Sequence, residues 1–211
     1  RSTIDGVIAK IGPFFSWLVR EGHIEKSPSS AIQRPINDDT GPPKIFLAQE
    51  AEQLLRTALE LDPPLAKYFA IGLFAGVRPH EIGRLKASDI SDRYIEISAR
   101  TAKTRKRRLV TVLPNLREWL RVSEELPIKN KQKRFEKAVK AAGLNWAHDI
   151  MRHSYASYHL TQFESADKTA LEMGHRDTQM LFRHYRELVK YEDSKQYWDI
   201  RPRKDINIKC E

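Results

Sequence analysis

Between Ala48 and Leu61 the chain reads AQEAEQLLRTALEL, and Ala51, Leu54, Leu55 and Ala58 recur three and four positions apart. That period puts them on one stripe of an α-helix. LAKYFAIGLFAGV at 65–77 is apolar all round apart from Lys67. It predicts a helix buried in a core, and it is shorter than the ~20 residues that cross a bilayer. Pro79 then stands where it can open a new helix at its first turn, with Ile82 and Leu85 as the apolar side. Beyond it the pattern changes: RYIEISAR and RRLVTVLP are β-rich runs, and TAKTRK between them makes a hairpin with a basic tip. From Asn115 onward the helical period returns, with breaks near Pro127, Gly143, Ser165 and Gly174.

Upstream, Ile8, Ile11, Phe15, Trp17, Leu18 and Ile24 flank Gly12-Pro13 and precede SPSSAI, a stop. Residues 1–36 therefore predict about two helices, too little for an independent core. NDDTGPPK at 37–44 combines turn formers and prolines and reads as a linker. The expected architecture is mainly α with a small antiparallel β-sheet (α+β), a main domain over 45–211 and a helical stub before it. The stretch RSTIDGVIAK has no signal-peptide pattern and no initiator Met, as expected of a fragment or a processed chain.

A length of 211 residues allows one substantial core and a small appendage. Lys+Arg number 37 against 28 Asp+Glu, and the net charge of +9 favours a polyanionic partner, either nucleic acid or an anionic membrane surface. The single cysteine, Cys210, excludes an intrachain disulfide framework and a metal site built of thiolates, and it fits a reducing cytosol.

Several polar residues carry possible chemistry. His148 and Arg152 stand four apart and therefore on one helical face, and Glu81 lies three residues after Arg78, where it can hold the guanidinium. Taken singly, such pairs usually form a solvated face or a surface ion pair. Two arginines and two histidines from distant segments are together what a phosphate clamp requires, because Arg offers a permanently charged planar fork to phosphate oxygens. His175, after Gly174, adds a donor at a turn. Lys103 can lose a proton and so serve as general acid to a leaving alkoxide. It lies in RTAKTRKRR, six basic residues in nine, where Arg100, Arg105, Lys106, Arg107 and Arg108 are candidates for holding a nucleic-acid backbone. Tyr185 shares a helical face with Leu181 and Leu188, which suits a core aromatic. A phenol attacks slowly unless cations stabilise its phenolate or a base takes its proton, and the basic cluster would supply that environment.

The order Arg78-Pro-His-Glu81, Lys103-Thr104, His148 to Ser154, Gly174-His175 and Tyr185 resembles the catalytic domain of the tyrosine recombinase (phage integrase) family, over residues 45–190. The resemblance implies that Arg78, Arg152, His148 and His175 hold a scissile phosphate, with Glu81 and His153 in support. Lys103 then protonates the departing 5′ oxygen, and Tyr185 forms a 3′-phosphotyrosyl link. Such a link conserves bond energy, so neither ATP, a metal nor another cofactor is implied. The implied partner is double-stranded DNA, bound by a homo-oligomer (a tetramer) in the cytoplasm at the nucleoid, with no membrane involved. Two departures stand out. His148 lies four residues before Arg152 where the family's box commonly has three, which leaves Asp149 and His153 as alternatives. Tyr185 follows His175 by ten residues, one more than usual, with Tyr191 as the next nucleophile candidate.

Residues 1–36 resemble the closing helices of the family's DNA-gripping N-terminal domain. Tyr191, Tyr197, Trp198 and Ile200 form an apolar stripe that either packs at home or docks on a neighbouring subunit. In the docking case, deleting 193–211 should spare DNA binding and disturb assembly. Two rival readings are a type IB topoisomerase, marked by relaxation of supercoils without a target site, and a catalytically silent DNA-binding module using the hairpin and the basic 129–140 helix.

Overall fold

Every residue from Leu65 to Ala75 is buried, and one of the two units of the protein is assembled around that helix. The computed structural model describes residues 2–32, 42–100, 107–126, 128, 130–174, 178 and 189–202. The chain divides into two compact units, Arg1–Gly41 and Pro42–Glu211.

Among the described residues of the first unit one α-helix, α1 (Ser2–Arg20), runs through Pro13 and is followed by a 3-10 turn at Pro28–Ala31. Two helices were expected here. Ile8, Ile11, Phe15 and Leu18 keep one three-and-four register across the proline.

In the second unit α2 (Ala48–Leu61) begins where the Glu50 carboxylate accepts the Leu47 N–H at 2.8 Å. Its buried stripe is Ala51, Leu54, Leu55, Ala58 and Leu59. Asp62 caps the next helix, α3 (Pro63–Ala75), by accepting the Leu65 N–H, and Pro63 occupies the first turn, where no N–H is needed. Surrounded by α2, α5 (Pro114–Leu120), α6 (Lys131–Ala141) and α7 (Ile150–Phe163), α3 has no solvent face. Lys67, the polar exception, donates its ammonium to the Ser123 carbonyl at 2.9 Å. The helix stops at Gly76, whose φ is +58°. A Cβ there would lie 2.3 Å from Tyr155 Cδ1, so only glycine permits this turn to meet α7.

The chain then forms the short helix α4 (Pro79–Ile82) and a two-stranded antiparallel sheet, β1 (Tyr94–Ile97) and β2 (Arg108–Thr111). Its register pairs Ile95 with Val110 and Ile97 with Arg108. α8 (Ala166–Met173) opens with Ser165 accepting the Lys168 N–H, closes at Gly174 in the left-handed conformation, and packs on β2 and α7.

The last described helix, α9 (Tyr191–Trp198), belongs to the core. Tyr197 is fully buried, stacks on Tyr158 with ring centroids 3.8 Å apart, and donates its hydroxyl to the Leu73 carbonyl at 2.7 Å. Trp119 donates to the Ile200 carbonyl at 3.1 Å. The stripe of Tyr197 and Ile200 thus packs at home, and a deletion beginning at residue 193 would remove core and not only an assembly arm. No helix among the described residues is long and apolar enough to cross a membrane.

Candidate functional site

Three guanidinium groups meet beside the C-terminal end of α8. Arg78, at the start of α4, is held next to the α3 turn. Arg108 enters from β2 and Arg152 from the first turn of α7. The last carbonyls of a helix lack intrahelical partners, and here they accept from the arginines. The Met173 carbonyl accepts from Arg152 Nη2 at 2.5 Å and Arg78 Nη1 at 3.4 Å, and the Glu172 carbonyl accepts from Arg108 Nε at 2.9 Å. Arg152 also donates to the Gly76 carbonyl, at the end of α3. Because Gly174 carries no Cβ, the Arg108 side chain can lie against it. A Cβ there would come within 3.2 Å of Arg108 Cδ.

Glu81 joins two of the arginines. Its carboxylate forms a two-point bridge with Arg108, at 3.1 and 2.6 Å, and a longer contact of 3.5 Å with Arg78. Burial alone would raise the Glu81 carboxyl, but the hydrogen bonds and charge of Arg108, with Arg78 adding to them, bring it down to about 2. Arg152 moves in an unusual direction for an arginine: burial, then the positive charges of Arg78 and Arg108, push it down to about 9, and the opposing pull of Glu81 and Asp149 only partly offsets them. The cluster therefore has an excess of positive charge at which an anion would be welcome. Of the three side chains Arg78 is the most open, at 15% exposure against 6% for Arg108.

The Glu81 bridge makes a testable contribution to stability. Its folded pKa lies below that of an ordinary carboxyl, so the stabilisation is complete above pH 4.5 and is lost as pH falls from there through about 2. Urea unfolding of wild type and Glu81→Gln at several pH values should show a gap of roughly 3 kcal/mol near pH 6 that narrows steadily below pH 4.5. A gap independent of pH would show that the charge of Glu81 contributes nothing.

Not every candidate gathers here. Arg108, expected with the exposed basic tip, is buried and bound to Glu81, and Glu81 makes its closest contacts with Arg108 and not with Arg78. Strand alternation holds the signal: Arg108, Val110 and Val112 face inward while Leu109 is exposed. Arg100 and Arg107 are exposed, and Arg107 bridges Glu96 on the paired strand at 2.6 Å. His148 is not on a helical face shared with Arg152. α7 begins at Ile150 after Asp149 in the left-handed conformation, and the His148 side chain is 94% exposed, 3.7 Å from Asp149. His153 is half-buried in the first turn. Lys103, Arg105, Lys106, His175 and Tyr185 lie outside the described residues.

Beneath the arginines lies a polar group that the sequence reading missed. The Glu172 carboxylate accepts the Tyr155 hydroxyl at 2.5 Å on one oxygen and the Thr111 hydroxyl at 2.7 Å on the other. His159 Nε2 lies 3.7 Å from it, and His159 Nδ1 pairs with the Thr169 hydroxyl at 2.7 Å. Burial and the charge of Lys168 push His159 down to about 3, so its ring is neutral near pH 7. Burial, with the adjoining Glu172 charge, raises the Tyr155 phenol, which stays a protonated donor.

Neither a family model nor a curated protein sequence matches the chain; structural comparison does find relatives. The catalytic domain of bacteriophage HP1 integrase superimposes with a TM-score of 0.58 at 21% identity, covering 67% of this chain and 86% of that one. XerA recombinase gives 0.58 at 19%, covering 92% and 82%. A lambda integrase dimer bound to a COC′ core site gives 0.63 at 19%, covering 93% and 59%. With three arginines gathered at the end of α8 and a mainly helical body carrying a two-stranded sheet, this chain has the fold of the tyrosine recombinase catalytic domains.

Proposed function

We propose that the protein breaks and rejoins strands of duplex DNA through a covalent 3′-phosphotyrosyl intermediate, as a site-specific recombinase or integrase. The observation that supports this reading is the convergence of Arg78, Arg108 and Arg152, with Arg152 depressed by burial and then by its cationic neighbours. A phosphodiester under attack gathers charge on its non-bridging oxygens, and fixed donors aimed there lower the barrier. In this reading Arg78 and Arg152 hold the phosphate while Arg108, bound to Glu81, fixes the carboxylate that steadies Arg78. The Tyr185 hydroxyl gives up its proton to a base or to water, its oxygen forms a bond to phosphorus as the bond to the 5′ oxygen breaks, and Lys103 supplies the proton that the departing 5′ oxygen takes up. His175 adds a donor to the phosphate, and His148, Asp149 or His153 fills the remaining place beside Arg152. One phosphodiester replaces another, so the strand can be resealed by the reverse reaction.

DNA as the substrate agrees with the net charge of +9 and with structural neighbours such as a lambda integrase tetramer bound to a Holliday junction. By the same likeness the chain acts as a homo-oligomer on its site, and residues 1–36 belong to a DNA-gripping domain. The test is a pool of nicked suicide duplexes with varied central sequence, resolved on a denaturing gel. Wild type is expected to yield a denaturation-resistant protein–DNA adduct and Tyr185→Phe none. Adduct surviving in Tyr185→Phe would move the nucleophile elsewhere, with Tyr191 next in line. Failure of wild type to form any adduct across the pool would overturn the reading.

A further inference from the structure

The three arginines share one support, and one side chain ties that support to both α7 and β2. The carbonyls of Glu172 and Met173 accept from all three guanidiniums, so the angle at which α8 ends determines where the forks point. The Glu172 carboxylate ties that end to its neighbours. One oxygen is tied to Tyr155 of α7 and the other to Thr111 of β2, the two elements that also deliver Arg152 and Arg108. Glu172 is 5% exposed and does not bond to the guanidiniums through its side chain, so its carboxylate is spent on neutral hydroxyls. A carboxylate buried on two hydroxyls is a demanding arrangement if packing were its only purpose, since an apolar residue would fill the same space without desolvation cost.

We propose that Glu172 is a positioning residue for the arginine cluster: by clamping α7, β2 and α8 together at their common corner it aims Arg78 and Arg152 at one anion and holds Arg108 against Glu81. The proposal rests on the strand-transfer reading only for what the anion is, a DNA phosphodiester. A displacement of about 1 Å at a reacting centre can cost on the order of 100-fold in rate, so loosening this corner is felt in anion binding and chemistry before it is felt in folding.

The experiment compares wild type, Glu172→Gln and Glu172→Ala by three measurements: thermal melting, calorimetric affinity for inorganic tungstate as a phosphate mimic, and single-turnover adduct formation on a nicked duplex. Glu172→Ala is expected to melt cooperatively and bind duplex DNA nearly as well as wild type, with tungstate affinity and adduct rate each down by about 10-fold or more. Glu172→Gln, whose amide accepts from Tyr155 and donates to the Thr111 oxygen, should recover both to within about 3-fold. A lower melting temperature with unchanged tungstate affinity and adduct rate would make the role merely structural and overturn the proposal. Wild type that binds tungstate but forms no adduct defeats strand transfer alone, and the tungstate ratio between variants then decides for Glu172. Wild type that binds no tungstate overturns the positioning role as well. If Glu172→Ala does not fold, Tyr155→Phe, which deletes one of the two ties, carries the test: weaker tungstate binding supports the proposal and unchanged binding overturns it.

Discussion

Arg152→Ala is expected to lower adduct formation by a factor of about 10²–10³, the effect of removing one preorganised donor from a developing oxyanion. Arg152 connects the ends of α3 and α8 by donating to the Gly76 and Met173 carbonyls, and it lies in the positive field of Arg78 and Arg108. Deleting it removes the Arg152 donor from the Gly76 carbonyl, at a cost of about 1–3 kcal/mol before water enters, and leaves the Met173 carbonyl with the longer contact to Arg78. The rate must therefore be taken on protein shown by circular dichroism to be folded. Arg152→Lys should recover little, because a compact ammonium cannot reach two carbonyls and a phosphate as a planar fork does. A folded Arg152→Ala protein that forms adduct at the wild-type rate would dismiss the clamp.

The second large effect is on folding. Removing 191–211 is expected to abolish cooperative unfolding. The reason lies in Tyr197, Trp198 and Ile200. Tyr197 alone fills a fully buried position stacked on Tyr158 and bonded to Leu73, and a large aromatic replaced by alanine in such a place costs about 3–5 kcal/mol. That is a large part of a typical domain's total stability. A protein lacking 191–211 that still melts cooperatively near the wild-type temperature would show that α9 is an appendage. For this reason a test of subunit assembly should begin its deletion after Pro202.

Much of the scaffold was legible in the chain because its signals are local. The apolar period of α2, the all-round apolar run of α3, Pro79 at the first turn of α4, the β-rich pair and the breaks at Gly143, Ser165 and Gly174 each arise within a few neighbouring residues. The grouping of Arg78 with Arg152 was likewise readable, through a resemblance of ordered motifs. What was not readable depends on long-range contact. Counting positive charge along RTAKTRKRR treats Arg108 as one of a set, whereas the strand's alternation turns it toward Glu81, 27 residues earlier. Glu172 meets Tyr155 and Thr111 at separations of 17 and 61 residues, and no local period announces that meeting. For His148 the error was one of boundary: the four-residue spacing puts it beside Arg152 only if the helix reaches back to residue 148, and the left-handed Asp149 starts it at Ile150. The apolar stripe at the C-terminus was visible, but its partners in α3, α5 and α7 were not.

The central claim is that this cationic pocket makes the phenol oxygen of Tyr185 reactive toward phosphorus. Peptide mapping of the trapped adduct by mass spectrometry tests it most directly. The account predicts a nucleotide phosphate attached to Tyr185; attachment at Tyr191 or at any other residue would contradict it.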